Sequence, residues 1–494
     1  MTVMSVRSAA AWAIASQYTS FTIQFVTSIV LARWFISPTD LGLFSIAFAA
    51  VSLISFLQDF GIARFINGER ELTEAKIRTA YTVSTIFAFG IAFASILAAW
   101  PIAWFYGDPA LLPITLVVAC SYLMIPFAVV PQALCQRKLD YRSNTMIEVG
   151  AAAANSAVAV TLAIRGWGAL ALAGGAFGQQ FARMAVAQWR AGGKLPWPLS
   201  LKDVSPMLAI GKTATITSIC WTVVSRAPEL VIGRVMPHAA VGLFSRASGL
   251  ALQLRLLVSG AVTGVFYPAF RAVRDSGQPL GPPYLRVVAA ITGITWPAMA
   301  GIAALSWPLV DMLYGPRWHE TAPLLAWVAL AQLCYVALPL NGDLPILLQR
   351  MARLVKLQVS ETLLCVALVT ISATTFGLKA VAIAIFIHGL ASVAIYAPLM
   401  HEMLGFRWRD LWSVWGKSAL VTVAAVAPTL IGYALFDAPH EAGMRQVFGS
   451  ALAGIGAWFL TLRIVRHSLY DEATAMLGEL LGGLKLRLAG LTGK

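Results

Sequence analysis

The sequence predicts an all-α polytopic membrane protein. We expect 14 transmembrane helices: two six-helix lobes related by a pseudo-two-fold axis along the membrane normal, plus two peripheral C-terminal helices. Three observations predict this class. The 494 residues are 59% hydrophobic and only 12% charged, whereas soluble proteins carry about 25% charged residues. Long apolar stretches recur along the whole chain, and one string of residues occurs twice.

Each apolar stretch is long enough for a membrane helix, which needs about 20 residues. Several contain Ser, Thr or Gly, which such helices tolerate because their backbone hydrogen bonds are internal and small residues allow close helix contact. Spans of this number and length leave no room for a large soluble domain. The predicted spans are residues 10–32, 42–66, 79–105, 111–135, 145–164, 168–189, 207–233, 240–268, 286–310, 322–348, 355–376, 379–400, 417–436 and 446–465.

Basic residues are distributed unequally between the two sides of these spans. The connections on one side carry 18 Lys and Arg residues, and those on the other side carry 6. Cytoplasmic connections are the ones rich in Lys and Arg, so both termini are expected in the cytoplasm. The net charge of +14 then reflects topology and contact with anionic membrane lipids, and nucleic acid is not expected as a partner.

A repeated string divides the chain. VLARWFISPTDLGLFSIA at 30–47 resembles VIGRVMPHAAVGLFSRA at 231–247. Six helices separate the copies, so the two sets of helices share one orientation, as in transporters built from parallel repeats. The predicted divisions are an N-lobe at 1–190, a cytoplasmic linker at 191–206, a C-lobe at 207–400, helices 13 and 14 at 401–466, and a cytoplasmic amphipathic tail at 467–494.

Six basic residues remain within or near the spans, where a cation at a helix centre costs about 2.5–3.5 kcal/mol. Such residues usually face a bundle interior or an aqueous cavity. Arg226 and Arg246 lie at similar depths on helices 7 and 8 and can converge on one anion, whereas Arg255, half a turn from Arg246, would contact a more cytoplasmic position. The six are Arg64, Arg183, Lys212, Arg226, Arg246 and Arg255.

Two bland alternatives stand beside this interpretation. The side chains of Arg64, Arg183 and Lys212 can extend to the lipid headgroups. Glu229 follows Arg226 by three residues, the spacing of a same-face ion pair, so these two charges can simply neutralise one another. Asp59 is a further acidic residue inside a span.

No catalytic or metal-binding motif is present. The string GKT at 211–213 resembles the end of a phosphate-binding loop, but Pro206 stands where that loop requires a glycine. The sequence contains no HExxH, CxxC or DxD, and its five cysteines lie inside apolar stretches. We therefore expect neither an enzyme nor a bound cofactor. His388 is interpreted as a packed histidine, with a proton-linked role as the alternative.

The sequence resembles the polysaccharide transporter family of the multidrug, oligosaccharidyl-lipid and polysaccharide exporter superfamily. The resemblance spans nearly the whole chain. It rests on LARWFISPTDLGLFSIA at 31–47, QDFGIARFI at 58–66, GWGALALAGG at 166–175, IGRVMPHAAVGLFSRA at 232–247, FYPAFRAV at 266–273 and LYGPRWHETAPLL at 313–325.

This resemblance implies a flippase that moves undecaprenyl-diphosphate-linked oligosaccharides across the bacterial inner membrane for exopolysaccharide, lipopolysaccharide or capsule assembly. Polysaccharide polymerase or export machinery would be its partners. Arginine suits a diphosphate because its planar fork of N–H groups matches phosphate oxygens. The candidate diphosphate site is Arg226, Arg246, Arg255 and Arg64, and Asp59 or Glu229 is the candidate for coupling transport to H+ or Na+.

Two alternatives remain open at the level of sequence. A multidrug-type exporter would share the fold, although an arginine-lined cavity would repel the cationic drugs that such pumps often carry. A non-transporting scaffold of a polysaccharide export complex would keep the topology without a substrate cavity. The sequence leaves the glycan, the coupling ion and the oligomeric state undetermined.

Overall fold

The computed structural model describes residues 6–55, 62–69, 71–192, 200–201, 204–275, 278–436 and 443–470, and every regular element in these ranges is a helix. Numbered in chain order, the α-helices are α1 Val6–Val30, α2 Pro38–Ile54, α3 Ile62–Gly68, α4 Glu74–Tyr106, α5 Leu111–Ser121, α6 Ile125–Arg137, α7 Tyr141–Ile164, α8 Ala169–Ala191, α9 Val204–Val235, α10 His238–Asp275, α11 Gly281–Ala304, α12 Ser306–Tyr314, α13 Thr321–Ala337, α14 Asp343–Leu347, α15 Met351–Thr375, α16 Leu378–Leu404, α17 Trp408–Phe436 and α18 Met444–Ile464.

Within the described residues, eight helical stretches are long and apolar enough to cross a membrane. They lie on α4, α5–α6, α7, α11, α15, α16, α17 and α18, and each coincides with a predicted span. The remaining predicted spans fall on α1, α2–α3, α8, α9, α10 and α13–α14. The chain is therefore an all-helical, multi-pass membrane protein, and the total of 14 spans stays a prediction.

Local sequence explains where two of these helices begin and end. The side chain of Ser37 accepts a hydrogen bond from Asp40 N at 3.1 Å, and Asp40 Oδ2 accepts one from Ser37 N at 3.0 Å. This reciprocal cap, with Pro38 in the first turn, fixes the start of α2. The predicted span at 322–348 is interrupted instead, because α13 ends at Ala337 and Leu338, which precedes Pro339, has left the helical conformation (φ −124°, ψ 79°).

Helices α7 and α8 pack through a row of glycines. A Cβ atom added to Gly174 would overlap the Leu162 side chain, and one added to Gly175 would lie 2.8 Å from the Ala159 Cβ. A Cβ added to Gly178 would lie 2.9 Å from Val158 Cγ2. This close approach depends on the absence of side chains, as expected for small residues spaced four apart in a membrane helix.

The chain forms two compact units, described separately. The first comprises Met1–Ser245, Leu313–Trp318 and Gln358–Val381, and the second comprises Arg246–Met312, His319–Leu357 and Ala382–Lys494. Thus α9 and the first two turns of α10 lie in the first unit with α1–α8. The lobe boundaries predicted from the repeat, at residues 190 and 207, stay a prediction.

In the second unit, the start of the predicted tail packs against two helices. His467 Nε2 lies 3.2 Å from Ser418 Oγ on α17, which lies 2.8 Å from Thr292 Oγ1 on α11. All three side chains are buried. The rest of the predicted tail, 471–494, lies outside the described residues, as does most of the predicted linker.

Candidate functional site

An ion pair inside the first unit joins two of the residues predicted from the sequence. Arg226 Nη1 donates to Glu229 Oε2 at 3.2 Å, and Ser245 Oγ donates to Glu229 Oε1 at 2.9 Å. The Arg226 guanidinium lies over the ring of Phe48, 4.9 Å from its centroid. The three-residue spacing on α9 places both charges on one helix face, and the ion pair that the sequence offered as the alternative to a binding role is present.

The burial of this pair differs between its partners. The Glu229 side chain is 11% exposed, whereas that of Arg226 is 29% exposed. Tyr122, which donates to Ser55 Oγ at 3.1 Å, also lies within electrostatic range of Arg226. A buried carboxylate that holds a more exposed arginine leaves guanidinium N–H groups able to face an incoming anion, because arginine carries five donors.

The other predicted site residues occupy different places. Arg246 and Arg255 are half-buried on α10 in the second unit. Arg255 lies within electrostatic range of Tyr335, whose hydroxyl is 2.8 Å from His388 Nδ1. The backbone of Arg64 lies in α3, but its side chain and the whole of Asp59 fall outside what the structure describes. Convergence of Arg226 and Arg246 on one anion stays a prediction.

The two copies of the repeated string meet at the first turns of α2 and α10. A Cβ atom added to Gly42 would overlap the His238 carbonyl group, and one added to Gly242 would overlap the Pro38 carbonyl group. We call Pro38, Gly42, His238 and Gly242, all in the first unit, the glycine contact. It is reciprocal: each glycine faces the residue equivalent to the one faced by its counterpart, as at a two-fold interface.

Two hydrogen bonds donated by aromatic side chains connect the two halves of the chain near the ends of α1 and α9. Tyr106, the last residue of α4, donates its hydroxyl to the Leu230 carbonyl of α9 at 3.2 Å. Trp318 donates its indole N–H to the Ala32 carbonyl at 2.9 Å. Ala32 belongs to the π-helical turn Leu31–Phe35 that follows α1. Tyr106, from the first half of the chain, thus bonds near the end of α9, the first helix of the second half. Trp318, from the second half, bonds just after the end of α1, the first helix of the first half.

Sequence reasoning missed the glycine contact and these crossed bonds. One signal of the repeat was available in the sequence near these bonds. A tyrosine followed by a glycine ends both α4 and α12, at Tyr106–Gly107 and Tyr314–Gly315. Both glycines have positive φ, +70° and +82°, a conformation that favours glycine.

A second group of charges and amides lies on α6, α7 and α8 of the first unit. Gln132 Nε2 donates to Asn144 Oδ1 at 3.0 Å and to Glu148 Oε1 at 2.7 Å. Arg183 donates to Glu148 Oε2 at 2.9 Å and to Gln180 Oε1 at 3.2 Å. We call Gln132, Asn144, Glu148, Gln180 and Arg183 the polar network. The sequence left open whether Arg183 faces the bundle interior or extends to headgroups, and the structure shows that it pairs with Glu148.

A neighbouring pair extends this polar surface toward the membrane centre. Asn155 Nδ2 donates to Gln179 Oε1 at 3.2 Å. Asn144, Glu148 and Asn155 share one face of α7 because they are four and seven residues apart. Interhelical hydrogen bonds in membranes are worth about 0.6 kcal/mol on average, a small gain beside the cost of placing charged groups such as Glu148 and Arg183 within or near the spans. Helix adhesion alone does not explain the network.

Among the described residues, no group of three His, Cys, Asp or Glu side chains is placed to hold a metal ion. The fold and these sites define the class: a polytopic helical membrane protein with paired charges inside its spans. Residues 30–323 match the family described as "Polysaccharide biosynthesis protein". The chain belongs to that family.

Curated relatives carry consistent names. The lipopolysaccharide biosynthesis protein WzxC of Escherichia coli (strain K12) is 24% identical over 428 residues, which cover 83% of this chain and 84% of WzxC. The succinoglycan biosynthesis transport protein ExoT of Rhizobium meliloti (strain 1021) is 22% identical over 328 residues, 65% of each chain.

Solved structures share the fold at low sequence identity. The lipid II flippase MurJ, in an inward closed conformation, superposes with a TM-score of 0.74 over 93% of this chain and 99% of MurJ, at 13% identity. An inward-facing multidrug resistance MATE family transporter gives a TM-score of 0.54 over 79% of this chain and 94% of its own, also at 13% identity. The fold is therefore the one shared by these two transporters.

Proposed function

We propose that this protein is a flippase that moves an undecaprenyl-diphosphate-linked oligosaccharide from the inner to the outer leaflet of the bacterial inner membrane. It serves exopolysaccharide, lipopolysaccharide or capsule assembly and is not an enzyme. Family membership, the names of WzxC and ExoT, and the fold shared with the lipid II flippase MurJ support this function.

Alternating access between two six-helix lobes is the proposed mechanism, and the glycine contact is the observation that carries it. Pro38 and Gly42 are 200 residues from His238 and Gly242, and their reciprocal contact supports a pseudo-two-fold relation between the repeats. With 14 spans and cytoplasmic termini, as the basic connections predict, this contact lies on the outer side. That side is then closed, and transport requires the contact to separate.

The proposed diphosphate site comprises Arg226, Arg246, Arg255 and Arg64. The partial exposure of the Arg226 side chain supports this role, since an arriving diphosphate can take over the donors beside Glu229. Once the diphosphate has taken Arg226 away from Glu229, the buried Glu229 carboxylate is unpaired. Burying an unpaired charge costs free energy unless the carboxylate gains a proton or a cation. Glu229, or Asp59, therefore couples transport to H+ or Na+ in this proposal.

The test uses the source bacterium with the chromosomal gene deleted and variants supplied in its place. Because Arg226→Ala alone strands a buried carboxylate, which costs about 3–5 kcal/mol, the informative variant is Arg226→Ala combined with Glu229→Gln. We expect this double variant to reach the membrane, to lose polymer export and to accumulate lipid-linked oligosaccharide in the inner leaflet. Thr27→Val, which removes an interhelical hydroxyl bond to Ser156, is the control.

Other results separate the alternatives. Normal polymer export by the double variant would contradict the diphosphate site and favour a scaffold. If the protein exports cationic dyes even when the polymer genes are deleted, the multidrug-type exporter is favoured. Coupling is tested in membrane vesicles: transport that continues unchanged after the H+ and Na+ gradients are dissipated excludes the roles of Glu229 and Asp59.

A further inference from the structure

The polar network, with Asn155 and Gln179, has a chemistry different from that of the arginine site. Its single cation, Arg183, is paired with its single anion, Glu148, at 2.9 Å, and the remaining groups are carboxamides. The network is therefore close to neutral. A neutral surface gives no preference for a diphosphate, which needs an excess of positive charge.

Both charged side chains are only partly covered, with 22% of Arg183 and 31% of Glu148 exposed. Glu148 is about 10 Å from the start of α7, and Asn155 about 21 Å, at the rise of an α-helix. These positions lie inside the predicted span at 145–164. Asn155, in the middle of this span, and Gln179 are half-buried, and partly exposed amide groups at that depth favour a water-filled space over lipid.

Packing between α7 and α8 does not require these groups. The helices already approach through Gly174, Gly175 and Gly178, and Gln132 extends the network to a third helix. Glu148 is not proposed for a coupling cation, because the neutral network attracts no anion that would take Arg183 away from it, whereas the diphosphate takes Arg226 away from Glu229 in the proposed function. What remains is a ligand that is uncharged and able to both donate and accept.

We infer that the polar network, with Asn155 and Gln179, binds the sugar portion of the transported lipid and sets the preference for its glycan. Carboxamides present a donor and an acceptor side by side, which matches the hydroxyl pairs of an uncharged pyranose. This inference rests on the proposed function, and it divides the substrate between two sites: diphosphate at the arginines, sugar at the network.

The test measures binding of four lipids to the purified full-length chain in lipid nanodiscs by native mass spectrometry. The probes are undecaprenyl diphosphate without sugar and the same lipid carrying one glucose, galactose or N-acetylglucosamine. The variants are Asn155→Leu and Gln132→Met, which keep side-chain size and remove hydrogen bonding. Thr27→Val is the matched control, because its bond goes to Ser156, the residue after Asn155 on the same helix.

We expect the wild type to bind at least one sugar-bearing lipid more tightly than the bare diphosphate. Each apolar variant should weaken that binding about fivefold to tenfold, as for a lost hydrogen bond to a bound hydroxyl, and leave the bare diphosphate unaffected. The Arg226→Ala and Glu229→Gln double variant should weaken all four lipids alike.

Equal affinity of the wild type for all four lipids, or equal weakening of all four by Asn155→Leu, would overturn the sugar role and leave the diphosphate role standing. If the apolar variants lower only the melting temperature, to the same extent as Thr27→Val, the network is structural and the inference fails. Failure of the wild type to bind any of the four lipids would overturn the proposed function itself, and this inference with it.

Discussion

The glycine contact and the polar network lie in the same compact unit and are built in opposite ways. At the glycine contact, the backbones of α2 and α10 meet with no side chain between them. At the network, long polar side chains from α6, α7 and α8 meet and stay partly exposed. The first region tolerates no added atom, whereas the second keeps polar groups that are not fully covered.

This difference fits the proposed roles of the two regions, closure at the glycine contact and ligand binding at the network. The glycine contact leaves no space for a side chain between the two backbones, and the nearby hydrogen bonds from Tyr106 and Trp318 use neutral donors. The network retains ionic groups whose burial is incomplete. Substitutions should therefore act on opening at the glycine contact and on ligand preference or local stability at the network.

The largest effect is expected from Gly42→Ala or Gly242→Ala. The added methyl group would overlap a carbonyl group across the contact, and overpacking of this kind costs about 1–3 kcal/mol. Polymer export by the complemented deletion strain should fall about tenfold or more. Gly249→Ala is the control, because a Cβ on Gly249, further along α10, meets nothing within 4 Å. Equal export by all three variants would contradict closure at this contact.

Trp318→Phe should come next. It leaves the Ala32 carbonyl without its indole donor, and an unsatisfied buried group costs about 1–3 kcal/mol. Spin labels are attached at Trp34 and Val235, which are exposed near the ends of α1 and α9, in a chain without other cysteines. Pulsed electron paramagnetic resonance then measures the distance between the two labels. We expect a longer-distance population to increase about tenfold.

The control for this substitution is Trp458→Phe. Trp458 donates to the Gly293 carbonyl at the same distance, 2.9 Å, inside the second unit. It should lose similar thermal stability without changing the distance distribution. A matching shift in both variants would show general loosening rather than release of a bond across the repeat.

Tyr106→Phe should have a smaller effect of the same kind. Its bond to Leu230 is longer and only partly buried, so about a threefold increase in the long-distance population is expected. Tyr433→Phe, which removes a 3.2 Å hydroxyl bond to the Ala304 carbonyl in the second unit, serves as the control. A larger effect from Tyr106 than from Trp318 would reverse the proposed order of the two bonds.

The smallest effect concerns Asp140, at the start of α7 beside the network. Burial opposes its ionisation, but hydrogen bonds from Ser143 and the charges of Arg190 and Arg142 outweigh burial and lower the pKa of Asp140. Its contribution to stability is therefore complete above its unfolded pKa and is lost as the pH falls through the lower folded pKa.

The measurement is the melting temperature of the purified chain between pH 6 and pH 3. Asp140→Asn keeps a helix-capping side chain and should flatten the acid part of this profile by a small amount. The export of polymer at neutral pH should be unchanged. An identical profile for both chains would show that the carboxylate makes no pH-dependent contribution.

Two ion pairs show which contacts the sequence can indicate and which it cannot. The spacing of three residues on one helix offered the Arg226–Glu229 ion pair as an alternative to a binding role, and the structure contains this pair. The partnership of Arg183 with Glu148 did not, because these residues are 35 positions apart on two helices. Local periodicity identifies neighbours on one helix and is silent about which face meets which.

By itself, the sequence determined the membrane class, the positions of the eight long apolar helices and the repeat of the GLFS string. Hydropathy and helical periodicity are properties of short windows, so each segment carries them independently of the rest. Only the tertiary structure decided that Gly42 meets His238, that Trp318 reaches Ala32, and that Gln132, Glu148 and Arg183 join. These partners are brought together by packing between helices, where the choice depends on the shapes of surfaces that no single segment contains.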